Sequence, residues 1–234
     1  MDRADPVKNR LLAALPEADL ARIAPHLVLV SLSYGQTLYE PATLLRHVYF
    51  PTNSIISLIS VTQESAPTEL AIVGNEGVVG VAVFMAADTA AGRAVVQSAG
   101  EAYRLDARIL KEEFRRASAL QRLLLRYTQA LMTQISQTAA CNLHHSVEQQ
   151  LCRWLLLSND RLPSTALSIS EEMIANMLGA SKVDLDAALL HLAQMGLIRH
   201  SHGRIELLDR PGLEAHACEC YRVVQLEFAR LLPA

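Results

Sequence analysis

The sequence predicts an α+β protein whose three parts follow one another along the chain. These are an N-terminal antiparallel β-barrel or jelly roll, a long dimerisation helix and a C-terminal winged helix-turn-helix. Three observations support this order. Short β-branched runs recur about every ten residues up to residue 106, a helical pattern follows, and residues 168–209 show the succession helix, tight turn, helix and hairpin. We expect the parts to span residues 1–106, 107–145 and 146–234.

Length and composition agree with two domains. The chain has 234 residues, of which 51% are hydrophobic, so it can bury a sizeable core. It has no apolar run of about 18 residues, and its first ten residues are too polar for a secretory signal. We therefore expect a cytoplasmic protein with no membrane partner. The four cysteines are too few and too clustered for a disulfide framework, so reduced thiols are expected.

The N-terminal part begins with two short helices, residues 9–15 and 17–24, which Pro16 separates and Pro25 ends. Eight strands then follow, separated by glycine-rich and proline-containing turns. Such spacing predicts a small antiparallel barrel or jelly roll. The predicted strands are residues 27–33, 37–39, 47–50, 54–62, 69–73, 78–84, 93–98 and 101–105.

The long helix carries an apolar stripe with coiled-coil spacing. Leu120, Leu124, Tyr127 and Leu131 alternate at intervals of four, three and four, which predicts a homodimer interface. The alternative is that the same face packs on the chain's own barrel. A further helix over residues 146–158 connects this rod to the C-terminal part.

The C-terminal motif has a cap or a turn residue at each expected boundary. Ser170 caps its first helix, Gly179 supplies the turn, and Ser181 caps the second helix, with Asp184 placed for a capping box. A hairpin with a polar tip follows Gly196. A pair of helices alone is common in helical proteins. The added wing favours DNA, with the second helix in a major groove.

The charge distribution limits the expected affinity for DNA. The net charge is −3, and residues 145–234 hold eight Lys and Arg against eleven Asp and Glu. Few phosphates can be neutralised, so the salt dependence of binding should be shallow. The candidate DNA-binding residues are Ser181, Lys182, Val183, Asp186, Ala187, Arg199, His202 and Arg204.

Several segments carry a resemblance that covers nearly the whole chain. They are residues 35–38 (GQTL), 80–84 (GVAVF) followed by Arg93 and Ala94, 178–181 (LGAS), 209–214 (DRPGLE) and 218–221 (CECY). In these segments the chain resembles the Crp/Fnr family of bacterial transcription regulators. The resemblance implies a homodimer in which a ligand in the barrel alters the pose of the dimer helices. It also implies binding to a palindromic promoter site in double-stranded DNA, with RNA polymerase as a further partner.

Departures from the family pattern limit which effectors can be inferred. Cyclic-nucleotide-binding members have a Gly-Glu pair that holds the ribose, whereas here Val81 follows Gly80, although Arg93 remains for an anion. Loss of that charge-assisted hydrogen bond costs about 1.5–3 kcal/mol, or roughly tenfold or more in affinity. Gly80 and Arg93 are the candidate effector-binding residues, and cyclic AMP is not expected. An iron-sulfur cluster is not expected either, since no cysteine precedes Cys141.

Residues 216–220 (HACEC) are typical of a metal site, but we expect no metal ligand there. If residues 213–231 form one helix, side chains two positions apart point about 200° from each other. We therefore interpret Cys141, Cys152, Cys218 and Cys220 as buried thiols. The adjacent His144 and His145 are interpreted as marking a helix junction.

The sequence contains none of the common catalytic motifs, so we do not expect an enzyme. The second helix also departs from the family, because Lys182, Val183 and Ala187 stand where promoter-binding members often have Arg, Glu and Arg. The alternative function is a sensor or adaptor of the same fold that acts through a protein partner. The acidic C-terminal half and Leu190 favour the adaptor, whereas the basic wing and the intact turn favour DNA.

Overall fold

The computed structural model describes residues 5–61, 67–162, 166–201 and 203–232. Within these ranges, no helix is both long and apolar enough to cross a membrane. The N-terminal part has helices α1 (Arg10–Ala13) and α2 (Glu17–Ile23) followed by seven strands. The strands are β1 (Val28–Leu32), β2 (Thr37–Tyr39), β3 (His47–Pro51), β4 (Ile55–Ser60), β5 (Thr68–Val73), β6 (Arg93–Ser98) and β7 (Gly100–Asp106).

The seven strands form two antiparallel sheets rather than one closed barrel. Three strands pair in the order β1-β7-β3, and four pair in the order β2-β6-β4-β5. Buried Asn9 joins the N-terminal helices to this structure. Its side-chain amide donates to the carbonyls of Pro51 and Gly77 at 2.8 and 2.9 Å, while its oxygen caps α1. The α+β class and the jelly-roll arrangement predicted from sequence are confirmed.

The predicted strand over residues 78–84 is wrong. Only Val79 forms a bridge, with Tyr49, and residues Val81–Val83 form a short 3-10 helix. Gly80 has φ +104, a left-handed conformation that ends the extended chain, and a Cβ there would lie 3.1 Å from Val48 Cγ1. The other seven predicted strands are present, although the predicted end of β4 at residue 62 lies outside the described residues.

The long helical region consists of α3 (Ala107–Arg115) and α4 (Ala119–His144). The predicted dimer seam on α4 is wrong. Leu120, Leu124, Tyr127 and Leu131 are all buried in the core that the helix shares with its own barrel. This face of the helix packs on the chain's own barrel, which is the alternative to a dimer seam.

The C-terminal part contains the helix-turn-helix and one more strand than predicted. A three-stranded sheet with the order β8-β10-β9 replaces the expected two-stranded hairpin. Strand β8 has only three residues, too few to give an alternating pattern. The elements are α5 (Val147–Asn159), β8 (Ala166–Ser168), α6 (Glu171–Leu178), α7 (Lys182–Gln194), β9 (Ile198–Ser201), β10 (Arg204–Leu207), α8 (Arg210–His216) and α9 (Glu219–Leu231).

Buried polar contacts join α5 and the residues that follow it to the barrel and to α4. Trp154 Nε1 donates to Glu69 Oε1 at 3.1 Å. Arg161 donates to Glu76 Oε1 from Nε at 2.8 Å and to Gln134 Oε1 from Nη2 at 2.9 Å. Removing one partner from a buried charge pair such as Arg161–Glu76 is costly, so these contacts stabilise the position of the C-terminal part against the barrel.

Candidate nucleic-acid interface

The turn between α6 and α7 has the geometry that the sequence predicts. Gly179 ends α6 with φ +63, in the left-handed region where glycine is favoured. Ser181 Oγ accepts from the backbone N–H of Asp184 at 3.1 Å and donates to Asp184 Oδ2 at 2.6 Å. Helix α7 is therefore capped firmly at the end that carries the candidate DNA contacts.

The two faces of α7 differ sharply in burial. The core face contributes Leu185, Leu189 and Leu192, which are almost fully buried. The opposite face leaves Val183 77% exposed and Leu190 60% exposed. The structure brings five predicted contact residues together near the exposed N-terminal end of α7. They are Ser181, Lys182, Val183, Asp186 and Ala187.

The wing supplies the nearby cations. Arg199 is exposed, but its Nη1 donates to Glu206 Oε2 across the hairpin at 2.7 Å, which partly neutralises its charge. Arg204 and Lys182 are exposed, and neither forms an ion pair within the part of the chain that the structure describes. His202 lies outside the described residues. Lys182 and Arg204 are therefore the cations best placed to meet phosphates or base edges.

The two candidate effector residues do not share a cavity. Arg93 lines a cavity of about 380 Å³ between the four-stranded sheet and α6, together with residues such as Glu69 and Met173. Its Nε donates to Glu40 Oε2 at 2.7 Å, so an anion must compete with that carboxylate. Gly80 lies against Val48 and does not line this cavity.

Burial changes the acidity of one carboxyl group at the same junction. Removal from solvent raises the pKa of Glu69 to about 7, although the hydrogen bond from Trp154 and the positive charges of Arg153 and Arg161 act to lower it. The side chain accepts from Trp154 on α5, and its second oxygen is unpartnered. Glu69 therefore changes charge near neutral pH at the contact between the barrel and the C-terminal part.

Sequence reasoning missed a cluster of thiols at the other end of α4. Helix α8 ends at His216, and Cys218 caps α9, so the expected continuous helix over residues 213–231 is wrong. Because the chain bends there, Cys218 and Cys220 both face Cys141 and His145. The sulfurs of Cys141 and Cys218 lie 3.5 Å apart and share a hydrogen bond, which lowers the pKa of Cys218.

Comparison with known proteins gives a match for one domain and a set of solved structures with a similar fold. Residues 149–216, from α5 to the end of α8, match the model of the Crp-like helix-turn-helix domain. FixK2 from Bradyrhizobium japonicum superimposes with a TM-score of 0.68 at 15% identity, over 82% of this chain and 98% of that chain. The chain carries a Crp-like helix-turn-helix domain on a Crp/Fnr fold.

Two further structures of the Crp/Fnr fold agree. A Crp-family transcriptional regulator from Thermus thermophilus has a TM-score of 0.66 at 18% identity, over 80% of this chain and 96% of that chain. A Crp/Fnr-family regulator from Eubacterium rectale has a TM-score of 0.64 at 18% identity, over 90% and 98%. A search of curated sequences returned no match.

These comparisons confirm the resemblance stated from the sequence. The matched proteins are transcriptional regulators rather than enzymes, in agreement with the sequence prediction. Within the Crp-like domain, α6 and α7 are the two helices of the helix-turn-helix, and β9 with β10 forms the wing. Helix α7 therefore occupies the place of the recognition helix.

Proposed function

We propose that the protein is a homodimeric transcription regulator that binds a palindromic site in double-stranded DNA. The exposed N-terminal face of α7 is the observation that carries this proposal. Ser181 caps this end of the helix, and the wing with the exposed Arg204 belongs to the same Crp-like domain. A helix of this kind presents its first turns to base edges in the major groove. A cytoplasmic location and contact with RNA polymerase belong to the same proposal.

The dimer forms, in this proposal, along the outer face of α4. Six exposed positions on that face recur at intervals of four and three, the spacing of a coiled-coil seam. Leu125 and Met132 would pair with the same residues of a second copy. The six positions are Leu125, Gln129, Met132, Ser136, Ala139 and Leu143.

The surface of α7 predicts a mixed mode of recognition. Lys182 can donate to a guanine edge or a phosphate, whereas Val183 and Ala187 offer apolar contacts that suit a thymine methyl. Arg204 on the wing is placed for a phosphate, which carries no sequence information. With few free cations, binding depends less on salt than is usual for a basic DNA-binding domain.

Substitution of Lys182 and Arg204 tests this assignment. Lys182→Ala should reduce retention of specific fragments in a gel shift, while Arg204→Ala should weaken all fragments about equally and lower the salt slope by about one. Arg108→Ala, which removes an exposed cation on α3, is the matched control and should leave binding unchanged. If neither Lys182→Ala nor Arg204→Ala differs from wild type, the assigned surface is wrong.

The cavity beside Arg93 is our candidate for effector control. Its volume of about 380 Å³ suits a small molecule, and its lining comes from the barrel on one side and from α6 on the other. A ligand there would contact both parts at once. It could therefore favour one arrangement of the barrel and the C-terminal part over another. Arg93→Ala should abolish stabilisation by an anionic effector in a thermal-shift screen, and an unchanged response would place the effector elsewhere.

A sensor or adaptor acting through a protein partner is the second candidate function. Leu190 and Val183 are large apolar side chains exposed on α7, and the C-terminal half carries more acidic than basic residues. Genome-wide footprinting of the purified protein at two salt concentrations separates the two functions. Protected sites with a shared sequence support the regulator, and their absence at both concentrations supports the adaptor.

A further inference from the structure

Three thiols and one imidazole converge where α4 ends and α9 begins. Cys141 lies in the last turn of α4, His145 follows its end, Cys218 caps α9, and Cys220 lies in its first turn. Their possible donor atoms all lie within 4.8 Å of one another, and the three cysteines are buried. We propose that these four residues bind one Zn²⁺ ion per protomer.

Two of the six separations between donor atoms match the edges of a tetrahedral zinc site, and the other four are at most 4.8 Å. With Zn–S near 2.3 Å and Zn–N near 2.0–2.1 Å, a tetrahedron requires about 3.8 Å between two sulfurs and about 3.6 Å between sulfur and nitrogen. Cys141 Sγ and Cys218 Sγ are 3.5 Å apart, and Cys220 Sγ lies 3.6 Å from His145 Nδ1. The donors therefore need only small shifts to close around an ion.

The donor set and its coordination number indicate which metal and which role. Three thiolates and one imidazole are a common ligand set of structural zinc, and soft sulfur ligands discriminate against magnesium and calcium. Four protein ligands leave no open position for a substrate. The ion would therefore be structural rather than catalytic.

His145 is also oriented as a zinc ligand should be. Its Nε2 lies 3.4 Å from Glu219 Oε2, while Nδ1 faces the Cys220 sulfur. A carboxylate that accepts from one ring nitrogen keeps the proton there and leaves the other nitrogen free to bind metal. Glu219 is thus a positioning residue, and its side chain is 75% exposed.

A buried cation faces the cluster and offsets its charge. Arg153 is only 4% exposed, its Nε is unpartnered, and its positive charge acts on the sulfurs of Cys141 and Cys220. Three thiolates around Zn²⁺ leave one net negative charge. The N-terminus of α9, at Cys218 and Cys220, adds further positive potential.

The position of the site suggests its purpose. His145 is the residue between α4, the proposed dimer helix, and Ser146, which caps the first helix of the C-terminal part. A bound ion would tie this junction to α9 and so fix the direction in which the DNA-binding domain leaves α4. The metal site stands on its own geometry and does not require that the protein bind DNA.

Metal content of the full-length protein, purified under reducing conditions, tests the site. We expect about one zinc per protomer, and replacement by Co²⁺ should give the visible absorption and thiolate charge-transfer bands of a tetrahedral sulfur site. Cys220→Ser should lose both signals. Cys152→Ser is the matched control, because this fourth cysteine is buried outside the cluster and should retain both signals.

A milder variant keeps the test decisive if Cys220→Ser fails to fold. Glu219→Gln alters an exposed side chain, leaves all four ligands in place and should weaken zinc binding by about 10–100-fold. Unchanged affinity would mean that Glu219 does not orient His145 toward a metal and would count against the proposed site. Three results would overturn the proposal. They are a wild type that binds neither zinc nor cobalt, metal binding that survives Cys220→Ser, and a Cys141–Cys218 disulfide in place of the metal site.

Discussion

Replacement of Glu69 by glutamine should change how the stability of the protein depends on pH. Burial raises the pKa of this carboxyl from 4.5 to about 7, so the folded protein holds a proton that the unfolded chain has lost. Between those two values the folded state binds more protons, and its stability falls as pH rises. The rise in pKa corresponds to about 3 kcal/mol in the free energy of unfolding. This stability is fully present below pH 4.5 and is lost by pH 8.

Glutamine keeps the shape and an oxygen for Trp154 but cannot ionise. Glu69→Gln should therefore gain stability relative to wild type as pH rises from about 4.5 to 8, by about 3 kcal/mol in total. Urea unfolding measures the free energy of unfolding at each pH. It can be followed by the fluorescence of Trp154, which is the single tryptophan and the hydrogen-bond partner of Glu69. The exposed Glu112→Gln is the matched control. Parallel pH profiles for wild type and Glu69→Gln would mean that folding does not raise the pKa of Glu69.

Two further substitutions test the packing and the proposed dimer. Met132→Glu should convert the dimer to a monomer in sedimentation equilibrium, because it places two like charges across the proposed seam. Met85→Glu on the barrel is the control and should leave the dimer intact, since the Met85 side chain is almost as exposed as that of Met132 (54% against 55%). A dimer that survives Met132→Glu would exclude this face. Gly77→Ala should destabilise the protein by about 1–3 kcal/mol in thermal unfolding, because the new Cβ would meet Tyr127 at 2.5 Å, and an unchanged melting temperature would contradict that packing.

Local signals are sufficient to predict much of the fold. The helix caps are local signals. Ser170 and Ser181 cap the starts of α6 and α7, Gly179 ends α6, and the structure places these helix boundaries where the sequence predicts them. Seven strands are predictable because alternating side chains and turn residues are local too. The segment after Val79 is not, because glycine adopts either sign of φ and the sequence does not show that Gly80 takes the left-handed conformation.

The register of α4 shows why the dimer face cannot be chosen from sequence. Two interleaved stripes, beginning at Leu120 and at Leu125, both have coiled-coil spacing. The more apolar stripe is the one that the sequence favours as a seam, yet it lies in the core against the chain's own barrel. Periodicity shows that a face is buried but does not show by which partner.

The thiol cluster depends on contacts between residues far apart in sequence. Cys141 and Cys218 are 77 positions apart and meet only because α9 packs along α4. The break between α8 and α9 is the deciding feature. Ala217 and Cys218 have extended backbone angles there, which a helical pattern through residues 213–231 conceals.

Two copies joined along the outer face of α4 would present paired α7 helices to successive major grooves of one duplex. Selection of bound sequences from a random duplex library tests it most directly. We predict an inverted repeat whose half-sites lie about 10 base pairs apart, centre to centre, and which Met132→Glu no longer selects. Enrichment of a single unrepeated element, or of no sequence at all, would contradict the claim.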